Sequence, residues 1–417
     1  MKIHSGRLLI TLFGLMLATS QIPAAPMPTD EQPVSVNAQP VPQSEESAGP
    51  KDSASPKDSA SPKGRIEVVF VVDTTGSMAG LISAAKEKIW SIATTLSRSE
   101  PAPEIRIGLL GYRDRGDDYV TKLTPLSTDL DGIYHELMAF QAGGGNDAPE
   151  SVNQALHEAV HKIGWSTDKS VCRIIYLVGD APPHMDYDDD VPYRDTCLLA
   201  AEKGILINAI QCGSMAETIP VWSEIADNGK GVYAAIEQQG GAITPETPFD
   251  AKLAELSQRL DATRIYYGDS SAREKQNVQW RNQERIYEDA SVRSLAQRAV
   301  FNCTSSGLCN FAGHQELVTD VLSGKTLLKD LDASELPDEL HGKTPDELET
   351  LILSKDSERR SLQKEVLEIG EQRGKWLLEE LKREGKELPE LDRIIFDSIR
   401  AQLAPFGIKL PESALTL

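Results

Sequence analysis

The chain has 417 residues, and its 64 acidic against 43 basic side chains give a formal charge of −21. That length allows two domains and a tail. The acidic balance argues against nucleic acid and anionic membrane surfaces as main partners and leaves cations or proteins.

Residues 1–20 place Lys2 and Arg7 ahead of an apolar run over 8–18, followed by the small Ala18 and Ser20. This is the pattern of a secretory signal peptide, cleaved after Ser20 or near Ala25 and too short for a membrane anchor. Export to the periplasm, the cell surface or the outside is therefore expected. No later stretch reaches about 18 consecutive apolar residues, so no transmembrane segment is expected. Residues 21–64 are rich in Pro, Ser, Ala, Glu and Gln, and Pro-Lys-Asp-Ser-Ala-Ser occurs twice, from Pro50 and from Pro56. Such a segment buries too little apolar surface to offset the entropy of ordering its backbone, and reads as a disordered linker.

Residues 68–77 read Val-Val-Phe-Val-Val-Asp-Thr-Thr-Gly-Ser. Five apolar residues in a row, without alternation, predict a parallel strand covered on both faces. Leu81, Ile82, Ala85, Ile89, Ile92 and Leu96 follow at helical spacing, with Lys86, Glu87 and Lys88 largely on the other side. Further strands are expected at 105–112, 120–126 (the hairpin partner), 174–178, 205–210 and 232–236, with helices between them and a last one at 249–260. Alternating strands and helices over 65–264 predict an α/β domain with a mostly parallel sheet. Between the first strand and helix, Asp73, Thr75 and Ser77 either cap the helix or, with Gly76 allowing a tight turn, gather oxygens for a hard divalent cation.

Asp-x-Thr-Gly-Ser from Asp73 closely resembles the Asp-x-Ser-x-Ser signature that opens the metal-ion-dependent adhesion site of von Willebrand factor type A domains. The resemblance covers residues 65–264 and implies that family's doubly wound fold. Gly143-Gly144-Gly145-Asn146-Asp147 stands where the family has a glycine-rich loop ending in a threonine ligand. The strand ending Val178-Gly179-Asp180 resembles the one that delivers the last carboxylate. The implied ligands are Asp73, Thr75, Ser77, Asp147 and Asp180, around Mg²⁺, or Ca²⁺ or Mn²⁺. The implied function is divalent-metal-dependent protein–protein binding at the carboxyl edge of the sheet. Asp147 in place of a threonine, in a Gly-Asn-Asp-x-Pro-Glu loop that looks like one of bacterial relatives, adds negative charge. In adhesion members the partner supplies an acid to the metal; here that acid gains less, and tight structural metal binding is favoured.

Three other patterns compete. His157-Glu158-x-x-His161 matches a zinc-protease helix and Gly164 suits its extended form, but Thr167 stands where the third histidine belongs. Val152, Leu156, Ala159 and Ile163 make a core stripe on that helix and turn the histidines toward solvent. Four acids among residues 186–190 either hold a second cation or favour the start of a following helix. Residues 112–118 form a charged segment that reads as a solvated turn or as support for the metal; the Arg115-Gly116-Asp117 within it is too short to assign recognition. No phosphate loop, nucleophile elbow or dinucleotide glycine pattern is present, so the chain is expected not to be an enzyme.

Residues 265–417 turn helical and charged. One helix is expected over 284–301, a shorter one over 315–322, a linker at 331–342 and a last helix over 391–403. Thr344-Pro345-Asp346-Glu347 is a capping box that starts a long helix. Leu362, Val366, Ile369 and Trp376 or Leu377 give that helix a seam, either a coiled coil over 344–386 or an intramolecular packing face. A scaffold binding partners through these helices is the alternative function. Among five cysteines, Cys303 and Cys309 are expected to pair in an oxidising compartment, with the connectivity of Cys172, Cys197 and Cys212 open.

Overall fold

The computed structural model describes residues 64–145, 148–238, 245–385 and 389–414. The signal peptide and nearly all of the expected linker, up to residue 63, lie outside these residues. In chain order, β1 (Arg65–Asp73) leads to α1 (Ala79–Ser97), β2 (Glu104–Tyr112), β3 (Thr121–Ser127), α2 (Leu130–Met138), α3 (Val152–Lys162), β4 (Cys172–Gly179), α4 (Tyr193–Glu202), β5 (Ile205–Cys212), α5 (Thr218–Asn228) and β6 (Lys230–Ile236). The helical part follows as α6 (Asp250–Asp261), α7 (Ser270–Asp289), α8 (Val292–Asn302), α9 (Leu308–Ala312), α10 (Leu317–Leu322), α11 (Pro345–Glu384) and α12 (Glu390–Leu403).

The strands form one sheet in the order β3-β2-β1-β4-β5-β6, with β3 antiparallel to β2 and the other pairs parallel. The apolar run of β1 is buried on both faces, as its lack of alternation predicts. Ile66 and Val68 pack with α1, α2 and α12, while Val69 and Val71 pack with α3, α4 and α5. Each fully buried valine contributes about 1.5–3 kcal/mol. The chain runs from β1 outward to β3 and returns to the opposite side of β1 as β4. A crevice therefore opens at the carboxyl ends of β1 and β4, where open α/β sheets bind ligands.

Residues 59–417 form one compact unit, so the change of pattern near Ile265 marks a change of secondary structure within it. Helix α12 covers the sheet: Leu391, Ile395, Ile399 and Leu403 enter the same core as Ile174 and Ile210. Ser398 Oγ lies 2.7 Å from the Tyr176 hydroxyl, and Gln402 exchanges hydrogen bonds with Asn208. Lys88, expected on an outer face, is buried against Asp392 at 2.5 Å because α12 lies over α1.

Two helices replace the one expected over 284–301. Ala290 leaves the helical conformation and the Ser291 side chain accepts from Ser294 N, capping α8. Helix α11 starts at the foreseen capping box, continues through Gly370 and Gly374, and ends with Gly385 in the left-handed region. Its seam packs within the chain: Leu362 and Val366 join Leu253, Leu256 and Phe311. Arg359 pairs with Glu316, and Arg373 with Asp250. The expected Cys303–Cys309 bridge is not formed. Cys303 packs toward the core between α6 and α8, whereas Cys309 is exposed on α9; Cys172, Cys197 and Cys212 are buried free thiols. Among the described residues no helix is long and apolar enough to cross a membrane.

Candidate metal site

The last residue of β1, Asp73, is fully buried at the crevice. Its Oδ1 accepts hydrogen bonds from the Thr75 amide at 2.8 Å and the Thr75 hydroxyl at 2.6 Å. Ser77 Oγ lies 3.3 Å from Thr75 Oγ1. Asp180, one residue beyond β4, stands across the β1–β4 pairing from Asp73, and its charge helps raise the Asp73 carboxyl. Its Oδ2 accepts from the Gln238 side-chain amide at 2.7 Å. The turn between β1 and α1 thus brings Asp73, Thr75 and Ser77 together, and the parallel pairing of β1 with β4 brings Asp180 to them. Asp147, the third carboxylate of the expected set, lies outside the described residues.

Three buried oxygens here have no hydrogen-bond partner among the described residues: Asp73 Oδ2, Glu150 Oε2 and the Tyr112 hydroxyl. Burial pushes the Asp73 carboxyl up to about 7, against the two Thr75 hydrogen bonds and helped by the Asp180 charge. Glu150 is pushed up to about 9, first by burial and then by Asp73, Asp114, Asp117 and Asp180. The Tyr112 phenol is held well above its ordinary value, first by burial and then by Asp73, Glu150, Asp180 and Cys212. Mutually repelling acids around unpartnered oxygens are costly on their own and are stabilised by a positive charge. The donors are all oxygen, carboxylate and hydroxyl, the set that a hard divalent cation takes. The residues present therefore fit such an ion. Among the described residues no three acids, imidazoles or thiols converge as a metal-holding group, so on these residues the donor set is two carboxylates with two hydroxyls.

The loops that frame the site are fixed by residues 113–118, expected to be a solvated turn or a support for the metal. Arg113 is buried and donates from Nε to Thr74 O at 3.2 Å and from Nη2 to Gln141 O at 2.7 Å, pinning the first loop to the approach of the glycine-rich one. Asp117 Oδ2 accepts from Gly145 N at 3.1 Å. Gly145 has φ +72°, and a Cβ there would stand 2.9 Å from Thr75 Cβ, so glycine is required where this loop crosses the site.

The competing patterns fall to other roles. Asp189 and Asp190 are paired with Arg115, which also stacks over Tyr187 at 4.0 Å, and Asp186 is bonded to His184 at 2.8 Å. Arg115 and Asp117 are thereby both engaged within the chain. Glu158 is held by Thr121, Gln154 and Lys162, and His157 and His161 stack on one another on the outer side of α3. Val152, Leu156, Ala159 and Ile163 are fully buried, as their stripe predicts. Sequence reading missed Tyr112, Glu150 and Gln238. Tyr112 ends β2 in register with Asp73 and could have been found from strand ends, and Glu150 from the acid that closes Gly-Asn-Asp-x-Pro-Glu. Nothing local marks Gln238.

An open sheet with an Asp-x-Thr-x-Ser turn and a facing aspartate at its topological switch defines a class of ligand-binding α/β module. Residues 67–244 match the family model of the von Willebrand factor A domain, and the chain carries that domain. Domains of this family are in general non-catalytic modules of protein–protein interaction. Over 119 residues the chain is 27% identical to an ariadne-like RING finger protein of Acanthamoeba polyphaga mimivirus, an alignment covering 28% of this chain and 11% of that protein. The chain thus spans about a tenth of that relative's length. It is similar to the VWA domain of SpRpn10 at 14% identity and a TM-score of 0.32, covering 41% of this chain and 88% of that one. It is also similar to proximal thread matrix protein 1 from the mussel byssus at 14% identity and a TM-score of 0.33, covering 42% of each chain.

Proposed function

We propose that this is an exported protein that binds a protein partner through a divalent cation, Mg²⁺ or else Ca²⁺ or Mn²⁺, at the carboxyl edge of its sheet. The ligands are Asp73, Thr75, Ser77, Asp180 and, from the loop after Gly145, Asp147. The observation that carries the reading is the fully buried Asp73, whose Oδ2 has no partner among the described residues while Asp180 and two hydroxyls stand beside it. The test is metal analysis of the purified chain, with its melting temperature in EDTA and after adding back Mg²⁺, Ca²⁺, Mn²⁺ or Zn²⁺. A rise with Mg²⁺, Ca²⁺ or Mn²⁺ that is absent in Asp73→Ala supports it; Asp73→Ala gaining as much as the wild type sinks it.

A second reading rests on α11, where Leu353, Leu367 and Leu378 are exposed at spacings that return to one side of the helix. A scaffold binding through that side would hold its partner in EDTA, whereas the cation reading loses it. Stoichiometric zinc lost on His157→Ala would instead revive a zinc site on α3.

A further inference from the structure

Glu150 stands where three loops of the site meet. Its amide donates to Pro182 O at 2.9 Å and its carbonyl accepts from His184 N at 3.0 Å, tying it to the loop that follows Asp180. Its side chain reaches the opposite way, toward the glycine-rich loop. The position a Gly145 Cβ would take is 3.1 Å from Glu150 Oε1 and 2.9 Å from Thr75 Cβ, so the carboxyl and Thr75 flank the same glycine. The residue is 3% exposed, and its Oε2 has no hydrogen-bond partner among the described residues. The fully buried Tyr112 hydroxyl, equally unpartnered, lies beside Asp73, since both crowd the same face of Gly179.

A buried carboxylate held from both sides of its backbone, with one oxygen unsatisfied, carries a large desolvation penalty unless a positive charge or a donor lies against it. Among the described residues no lysine, arginine or histidine pairs with this side chain, and the acids Asp73, Asp114, Asp117 and Asp180 repel its charge. A cation shared with Asp73 removes the conflict for all of them. Among the described residues these acids do not converge as a direct metal-holding group, which leaves Glu150 an outer position around the ion. We propose that Glu150 is the internal acid of the cation site, bracing the ion through a bound water from the side of the glycine-rich loop. The site then carries its own outer carboxylate, and the partner needs to present no acidic side chain to the metal. This rests on the cation reading above.

The experiment is calorimetric titration of the full chain with MgCl₂, comparing wild type, Glu150→Gln and Asp73→Ala, each also melted in EDTA. Partners that orient metal ligands typically change metal affinity by about 10–100-fold when removed. Glu150→Gln is expected to weaken Mg²⁺ binding by about tenfold or more, while melting in EDTA close to the wild-type temperature, because the buried Oε2 has no hydrogen-bond partner to lose among the described residues. Wild-type affinity in Glu150→Gln alongside lost binding in Asp73→Ala overturns the role of Glu150 and leaves the cation reading standing. Glu150→Gln melting well below wild type in EDTA also overturns it, since the residue is then structural. No Mg²⁺ binding by the wild type removes both readings.

Discussion

Arg298 on α8 is fully buried and makes two 2.6 Å hydrogen bonds to the Asp131 carboxylate of α2, with a third bond to Asp261 of α6 at 2.8 Å and a fourth to Ser257 at 2.9 Å. It joins the sheet-bearing half of the chain to its helical half. Arg298→Met keeps much of the volume but leaves the buried Asp131 without its ion-pair partner and Asp261 with Arg264 alone. Removing one partner of a buried ion pair costs about 3–5 kcal/mol. For a unit of about 350 residues the unfolding entropy is about 0.7 kcal/mol/K, which converts 4 kcal/mol into a fall of about 5–6 °C in melting temperature. Scanning calorimetry at neutral pH should show that fall in a single transition, because Asp131 and Arg298 lie in one cooperative unit. Adding Asp131→Asn should recover part of the loss by removing one stranded charge. A shift under about 1 °C, or a second transition moving alone, would refute the reasoning.

Gly145→Ala puts a Cβ 2.9 Å from Thr75 Cβ at φ +72°, and should destabilise by about 1–2 kcal/mol and shrink the Mg²⁺-induced rise in melting temperature; an unchanged rise counts against the loop's place in the site. In EDTA, the Asp73 carboxyl is raised to about 7 from an ordinary 3.8. The folded chain therefore keeps this proton after the unfolded chain has lost it. That contribution is full below the ordinary value and is lost as pH rises through 7. The wild-type melting temperature relative to Asp73→Asn should fall between about pH 4 and 7; a flat or rising difference contradicts the assignment. Lys88→Met breaks the buried contact to Asp392 and should loosen α12 from α1, read as faster amide exchange across α12, while an equal protection pattern would show that apolar packing alone holds that helix.

Much of the sheet was legible because a strand buried on both faces needs an unbroken apolar run, and residues 68–72 and 174–178 supply one. The start of α11 was legible because a capping box closes within four residues: Thr344 and Glu347 exchange their hydrogen bonds as written in the chain. The break at Ser291 was equally local but was passed over, because apolar residues continue on both sides of it. The lysine at 88 was misplaced for another reason: helical periodicity describes one buried side, and α1 is covered from more than one direction.

By itself the sequence determined the α/β order, the turn that gathers Asp73, Thr75 and Ser77, and the outward placing of His157 and His161. Each of these depends on neighbours within one turn or one strand. Only the tertiary structure decided that Gln238 and Glu150 stand around that turn, beside the Asp180 that the strand pattern had already suggested. Only it decided that residues 112–118 serve as a frame, and that α12 closes the face of the sheet from a position 304 residues beyond its partner on α1. The physical reason is that a hydrogen bond or an ion pair leaves its signature in sequence only when backbone geometry alone brings the partners together. Where chain crossings bring them together, the partner can be any residue that the fold delivers.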